Sequence, residues 1–273
     1  MTSVPVLAFF GHFSFAWIPL ILMYQGCHEL QHATFFQKQD TASNNVLGAV
    51  CSSLFFHNFE FVRRSHGQHH KIGRMDLPNA MVDHPQGFMP SVFYYLNLVG
   101  FNYFMYMLAA PIWILNKRIA EVAFGVNGAN RGLVLMGIAL TLVWIVFLYS
   151  TNTLSSILLS YFIFSLYWGM IQNSAHYGLE FGRGDDYLYT AKTYRVPAVL
   201  HFLSFGTPFS HFEHHVLPGV PGVLLNEKVH ISGAIDKSGI EPYSNYSAKD
   251  YFKDLIVRQW ATPYPKTNTK WKN

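Results

Sequence analysis

Residues 27–32 read CHELQH, and two chemistries fit them. As H-E-x-x-H on a helix, His28 and His32 would hold a zinc ion and Glu29 would activate a water for peptide hydrolysis. As one of several histidine groups, the pair would instead supply part of a larger metal site. The other histidines favour the second reading. Nine of the chain's 14 histidines fall into four tight groups. These are His28 and His32 at i and i+4; His66, His69 and His70 in HGQHH; His176 in QNSAHYG; and His211, His214 and His215 in HFEHH. A helix advances about 100° per residue, so positions i, i+3 and i+4 leave it on one face. Asn173 and His176 share that spacing.

Nine neutral imidazoles are more than one zinc requires, because a catalytic zinc takes three protein ligands and keeps one position open. They suit two metals, each with open positions. Imidazole binds iron, zinc, copper and nickel alike, so the ligand type does not name the metal. A soluble carboxylate-bridged di-iron site would need paired Glu-x-x-His motifs, and only Glu29 to His32 has that spacing. Glu29 and Glu213 lie inside histidine groups, where a carboxylate can orient an imidazole from behind. His12, His57, His84, His201 and His230 stand alone and read as packing or surface residues. A metal carrier would distribute ligands along a transmembrane pathway, whereas these gather at helix ends.

The elements that must position these groups read as a membrane scaffold. The 273 residues are 51% hydrophobic and only 12% charged. A crossing needs roughly 20 mostly apolar residues, and residues 4–25, 133–149 and 154–172 qualify. All 19 Lys and Arg lie outside residues 1–27 and the turn at 150–153, which therefore read as exterior. Residues 92–115 are apolar but interrupted by Asn97, Asn102 and Pro111. Had they crossed, Lys117, Arg118 and Arg131 would lie outside, so they read as interfacial or re-entrant. Residues 44–62 read as a helix along the headgroups. The expectation is an all-α integral membrane protein with about three transmembrane helices plus interfacial helices. Its histidine-rich di-metal site would face the cytosol, since three crossings bring all nine histidines to one inner surface.

Residues 1–225 carry every histidine group and read as one membrane domain. Residues 226–273 turn polar, with Pro242, Pro263 and Pro265, and read as a cap or tail. The N-terminus lacks a basic n-region and a cleavage site and is expected to remain as an anchor. Cys27 and Cys51 read as free thiols on the reducing side. The net charge of +4 suits an anionic lipid surface, and no separate basic stripe points to nucleic acid. Arg63, Arg64, Lys71 and Arg74 could dock an acidic electron donor or simply face headgroups.

The order HxxxH, HxxHH, an Asn and His after an apolar hairpin, and a final HxxHH followed by VLPGVP resembles the membrane-bound fatty acid desaturase family. That di-iron superfamily includes alkane and xylene monooxygenases and carotenoid ketolases. The resemblance covers residues 27–225. NSAHYG is similar to the NSAAH segment of stearoyl-CoA desaturases with one residue fewer; HYGL also resembles alkane monooxygenases; HFEHHVLPGVP leans toward desaturases. The resemblance implies that His28, His32, His66, His69, His70, His176, His211, His214 and His215 hold two iron ions, cycling between Fe2+ and Fe3+, and that Asn173 holds a metal-bound water. It implies O2 as cosubstrate and an acyl or other hydrocarbon substrate, which is desaturated or, alternatively, hydroxylated or converted to a ketone. The chain has no cysteine tetrad, dinucleotide fingerprint or haem domain, so electrons would come from a separate ferredoxin, rubredoxin or cytochrome-type donor. One departure stands out. Most relatives have at least two crossings before the first histidine pair, whereas residues 4–25 alone precede it here.

Overall fold

Three of the described helix starts are set by short polar side chains that accept from otherwise unsatisfied first-turn N–H groups. Asn116 Oδ1 accepts from Ile119 N at 3.1 Å, and Asn130 Oδ1 accepts from Leu133 N at 3.2 Å. Ser247 and Asp250 form a reciprocal capping box. The computed structural model describes residues 13–36, 41–72, 88–177, 191–203, 209–225 and 246–261.

Among these, the larger helices are α1 (Phe13–Gln31), α2 (Thr41–Ser53), α3 (Phe59–Ile72), α4 (Phe88–Leu98), α5 (Phe101–Leu115), α6 (Lys117–Ala123), α7 (Arg131–Ser150) and α8 (Leu154–His176). Short elements follow: β1 (Tyr194–Arg195), α9 (Ala198–Leu203), α10 (His211–Val216) and β2 (Tyr246–Ser247). A terminal helix then runs as α11 (Ala248–Lys253), a π turn (Asp254–Arg258) and α12 (Gln259–Ala261). The chain is mainly helical, and β1 and β2 pair in parallel, Tyr194 opposite Tyr246.

Among the described residues, two helices, α7 and α8, are long and apolar enough to cross a membrane. The first expected crossing, residues 4–25, begins outside the described residues; α1 covers its second half and continues to Gln31. Residues 92–115 do not form one helix. The chain breaks at Gly100, whose φ of 79° is left-handed, and a Cβ there would meet Ser165 O at 2.2 Å. The resulting helices of 11 and 15 residues are each shorter than the roughly 20 needed to cross. Residues 44–62 are also divided. Phe56 takes a positive φ of 59°, Phe55 and Phe56 turn into the core, and Asn58 O restarts the helix by accepting from Phe61 N and Val62 N.

The chain divides into two compact units, residues Met1–Gly67 with Val99–Gly169, and Gln68–Leu98 with Met170–Asn273. In the first, Leu20, Tyr24, Cys27 and Leu30 of α1 pack with Phe55, Phe59, Tyr103, Tyr161, Phe164 and Trp168. Cys27 and Cys51 are free and buried. In the second, Tyr94, Leu98 and Tyr177 pack with Tyr95 and Trp260.

Candidate metal centre

The first unit gathers three histidines. His28 sits in the last turn of α1, His32 one residue beyond its end and His66 on α3. Helix α1 ends because Ala33 is left-handed, with φ of 55°, and Thr34 N turns back to Glu29 O at 3.1 Å. The Glu29 carboxylate accepts from Thr34 Oγ1 at 2.6 Å, which ties this bend to the helix. The bend brings His32 Nε2 to 2.8 Å from His66 Nε2. The three rings have centroids 4.6–4.9 Å apart.

The second unit gathers more. His69 and His70 come from α3, His176 from the last residue of α8, and His211, His214 and His215 from α10. One ligand atom from each of His69, His176, His211 and His215 lies within 4.8 Å of the others, and all four residues are buried. His70 packs beside His214 and His215, with centroids 4.6 and 4.5 Å away.

Nitrogen chemistry explains what this arrangement can do. His69 Nε2 lies 2.9 Å from His215 Nε2, His215 Nε2 lies 3.3 Å from His211 Nε2, and His211 Nε2 lies 2.9 Å from His176 Nε2. A neutral imidazole nitrogen carries either one hydrogen or one lone pair. Three contacts in a row therefore cannot all be full hydrogen bonds. Nitrogens bound at about 2.1 Å to one ion stand about 3.0–3.4 Å apart at right-angle to tetrahedral geometry. The observed spacings fit converging lone pairs around a cation, and the donor set suits an imidazole-binding metal.

The carboxylates inside the groups have local partners. Glu213 accepts from Thr193 Oγ1, and Thr193 bridges to Ser210 immediately before α10. Burial pushes the Glu213 carboxyl above its ordinary pKa, partly offset by that hydrogen bond. Asn173 is buried in α8, where its Nδ2 donates to Tyr94 OH at 3.0 Å and to Gln259 Oε1 at 2.9 Å. Glu60, fully buried, accepts from Arg63 at 2.6 Å, from Arg64 and from Asn130 N at 2.8 Å. Arg63 also donates to Asn45 Oδ1 at 3.2 Å and Arg64 to Asn127 O at 3.0 Å, so both guanidinium groups are held by neighbouring elements as well as by Glu60. The Lys71 side chain and Arg74 lie outside the described residues, as do His12, His84 and His230. His57 and His201 are buried with partners of their own: Tyr103 O and Tyr161 OH for the first, Ser210 Oγ for the second.

Sequence reasoning passed over Gln259, Tyr94, Lys192 and Asp254. The helix that carries Gln259 and Asp254 did leave a signal, because Ser247-x-x-Asp250 is a capping-box pattern. Its buried positions Tyr251, Asp254, Leu255 and Gln259 follow helical spacing. Lys192 Nζ pairs with Asp254 Oδ2 at 2.8 Å, and Tyr194 OH lies 2.9 Å from Asp254 Oδ2 and 2.8 Å from Ser174 O, its single hydrogen shared between the two acceptors.

A family model described as fatty acid desaturase matches residues 2–239. Comparison with curated proteins gives no match.

Proposed function

Given that the chain belongs to the fatty acid desaturase family, we propose that it is a membrane-bound, non-haem di-iron oxidoreductase that desaturates an acyl chain using O2 and two external electrons. The observation that carries this reading is the convergence of His69, His176, His211 and His215 nitrogens within 4.8 Å in a buried site. The nine grouped histidines are the ligands of two irons. When bound, the irons supply oxidising power toward an unactivated C–H bond, which offers side chains neither an acidic proton nor a leaving group.

The chain's own residues bind, orient and exclude water. The histidines must be neutral to ligate, so metal uptake releases protons from them at acidic pH. Thr34 with Glu29 and Thr193 with Glu213 fix the segments that carry His32 and His211. Asn173, one turn before His176 on α8, is in this reading the residue that holds a water at the metal site. Burial of the four-histidine group limits water that would otherwise compete with a hydrocarbon.

A bilayer position is supported by α7, whose Leu142, Val143 and Val146 are each more than half exposed. So long an apolar surface on one helix is lipid-facing in this reading. With α1 as a third crossing, the histidines face the cytoplasm, and a ferredoxin, rubredoxin or cytochrome-type donor delivers electrons there. An HExxH zinc protease would leave the four-histidine group without a role.

Elemental analysis of purified protein and lipid profiling of an expressing host test the proposal together. About two irons per chain and a new double bond are expected. One zinc per chain with peptidase activity abolished by Glu29→Gln would overturn it, and a new hydroxyl or keto group would move the chain to the hydroxylase and ketolase branch.

A further inference from the structure

The terminal helix that holds Gln259 lies beyond residues 2–239, the stretch matched by the family model. Gln259 is nevertheless fully buried and bonded to Asn173. We propose that Gln259 is a positioning residue that fixes which end of the Asn173 amide faces the metal centre. The proposal rests on the metal-site reading above.

The argument is one of hydrogen-bond direction. An amide side chain can point either end at a neighbour unless its partners are of different kinds. Gln259 Nε2 donates to Leu255 O at 2.6 Å and Met170 O at 3.3 Å. Both are backbone carbonyls, which only accept, so the Gln259 amide cannot be reversed without setting oxygen against oxygen. Its Oε1 is thereby presented to Asn173. An oxygen there demands an N–H, so Asn173 must present Nδ2. The second Nδ2 hydrogen goes to Tyr94 OH, and Tyr94 has already given its own hydrogen to Gln259 O at 2.9 Å.

Every link thus terminates on a backbone acceptor, and the direction of the whole network is set by Leu255, Met170 and Gln259 carbonyls. What it leaves Asn173 is Oδ1, an acceptor, on the helix turn that ends in His176. An acceptor is the end required to hold the hydrogen of a metal-bound water or of a ligating imidazole. Without Gln259, Asn173 could rotate and offer a donor instead, and two donors facing each other would repel.

Titration of the metal-free, full-length protein with Co2+, followed by its visible absorption, tests this without turnover. Gln259→Met fills a similar volume but offers at most a weak thioether acceptor; Gln259→Glu, held neutral by burial, keeps a carbonyl acceptor for Asn173 and one O–H for Leu255 O, giving up the hydrogen to Met170 O. Positioning expects Q259M to weaken Co2+ binding about 10–100-fold, the range seen when an outer partner of a ligand is removed, and to alter the spectrum. It expects Q259E to retain the wild-type spectrum, and the Q259M/N173A double variant to be no worse than N173A alone. A wild-type response from Q259M, additive losses in the double variant, or a Q259E no better than Q259M would overturn it. Should Q259M fail to fold, Q259E decides, because a packing role predicts its loss too. If the wild type takes up no Co2+, the metal reading itself fails and takes this proposal with it.

Discussion

His69 and His215 are 146 positions apart in sequence, yet their Nε2 atoms lie 2.9 Å from each other. Nothing in a folded protein gains from bringing two lone-pair nitrogens together in a buried place unless a hydrogen or a cation lies between them. With His176 and His211 converging on the same spot, a single hydrogen is insufficient.

Removing one ring should therefore remove a metal. His69→Ala and His211→Ala are each expected to lower metal content from about two to about one per chain. Desaturation should fall by more than the roughly 10–100-fold that loss of an outer partner causes. Elemental analysis beside product assay checks both, and full metal content in either variant would contradict the assignment. Chelation of the wild type should abolish activity, and added Fe2+ should restore it.

His57 should make the protein acid-sensitive. Burial among Tyr24, Tyr103, Tyr106 and Tyr161 pushes its pKa down to about 3. The unfolded chain takes up this proton near pH 6.5 and the folded chain only near 3. Its contribution is whole above pH 6.5 and is lost as pH falls toward 3, by at most about 1.4 kcal/mol per pH unit. Between pH 7 and pH 5 the wild type should lose more melting temperature than His57→Gln does. Parallel losses in the two proteins would refute the role.

The break at Gly100 should not tolerate a side chain. The backbone there is left-handed at φ 79°, and a new Cβ would stand 2.2 Å from Ser165 O, an atom of the α8 backbone that cannot swing aside. Gly100→Ala is expected to destabilise by at least about 2 kcal/mol. Folded yield and melting temperature in detergent measure it, and a stable Ala variant would show that α8 can shift.

The histidine groups were legible because their information is local: i, i+3 and i+4 spacing fixes a face before any tertiary contact exists. The apolar hairpin of α7 and α8 was legible for the same reason. The breaks were less so. Gly100 turns the chain because Ser165, far along the sequence, leaves no room for a Cβ, and the turn at Phe56 follows from where Phe55 and Phe59 find a core. His32 was expected on the helix with His28, but the left-handed Ala33 ends the helix before it. The bond between Asn173 and Gln259 spans 86 positions, and the capping box that marks the terminal helix does not say which residue its buried face meets.

Lys192 and Asp254 should respond unequally to loss of the other. Their side chains are 6% and 1% exposed and their charges 2.8 Å apart. If Lys192 is replaced by Met, Asp254 keeps Tyr194 OH and the Arg258 guanidinium, both within 2.9 Å. If Asp254 is replaced by Leu, Lys192 keeps, among the described residues, the faces of Tyr177 and Tyr246, 5.5 and 4.9 Å from Nζ, and the weaker attraction of the Asp250 carboxylate. Stranding a buried charge costs about 3–5 kcal/mol, whereas an apolar pair of similar volume is near neutral. Asp254→Leu should therefore destabilise far more than Lys192→Met, and the double variant should recover most of the loss. Burial already holds the Lys192 pKa below its ordinary value, and without Asp254 it must fall further. The unfolded chain then binds the extra proton, so Asp254→Leu should regain stability as pH rises toward the ordinary lysine value. Equal single-variant losses, or a melting temperature of Asp254→Leu that does not climb with pH, would show that the pair is solvated rather than sealed.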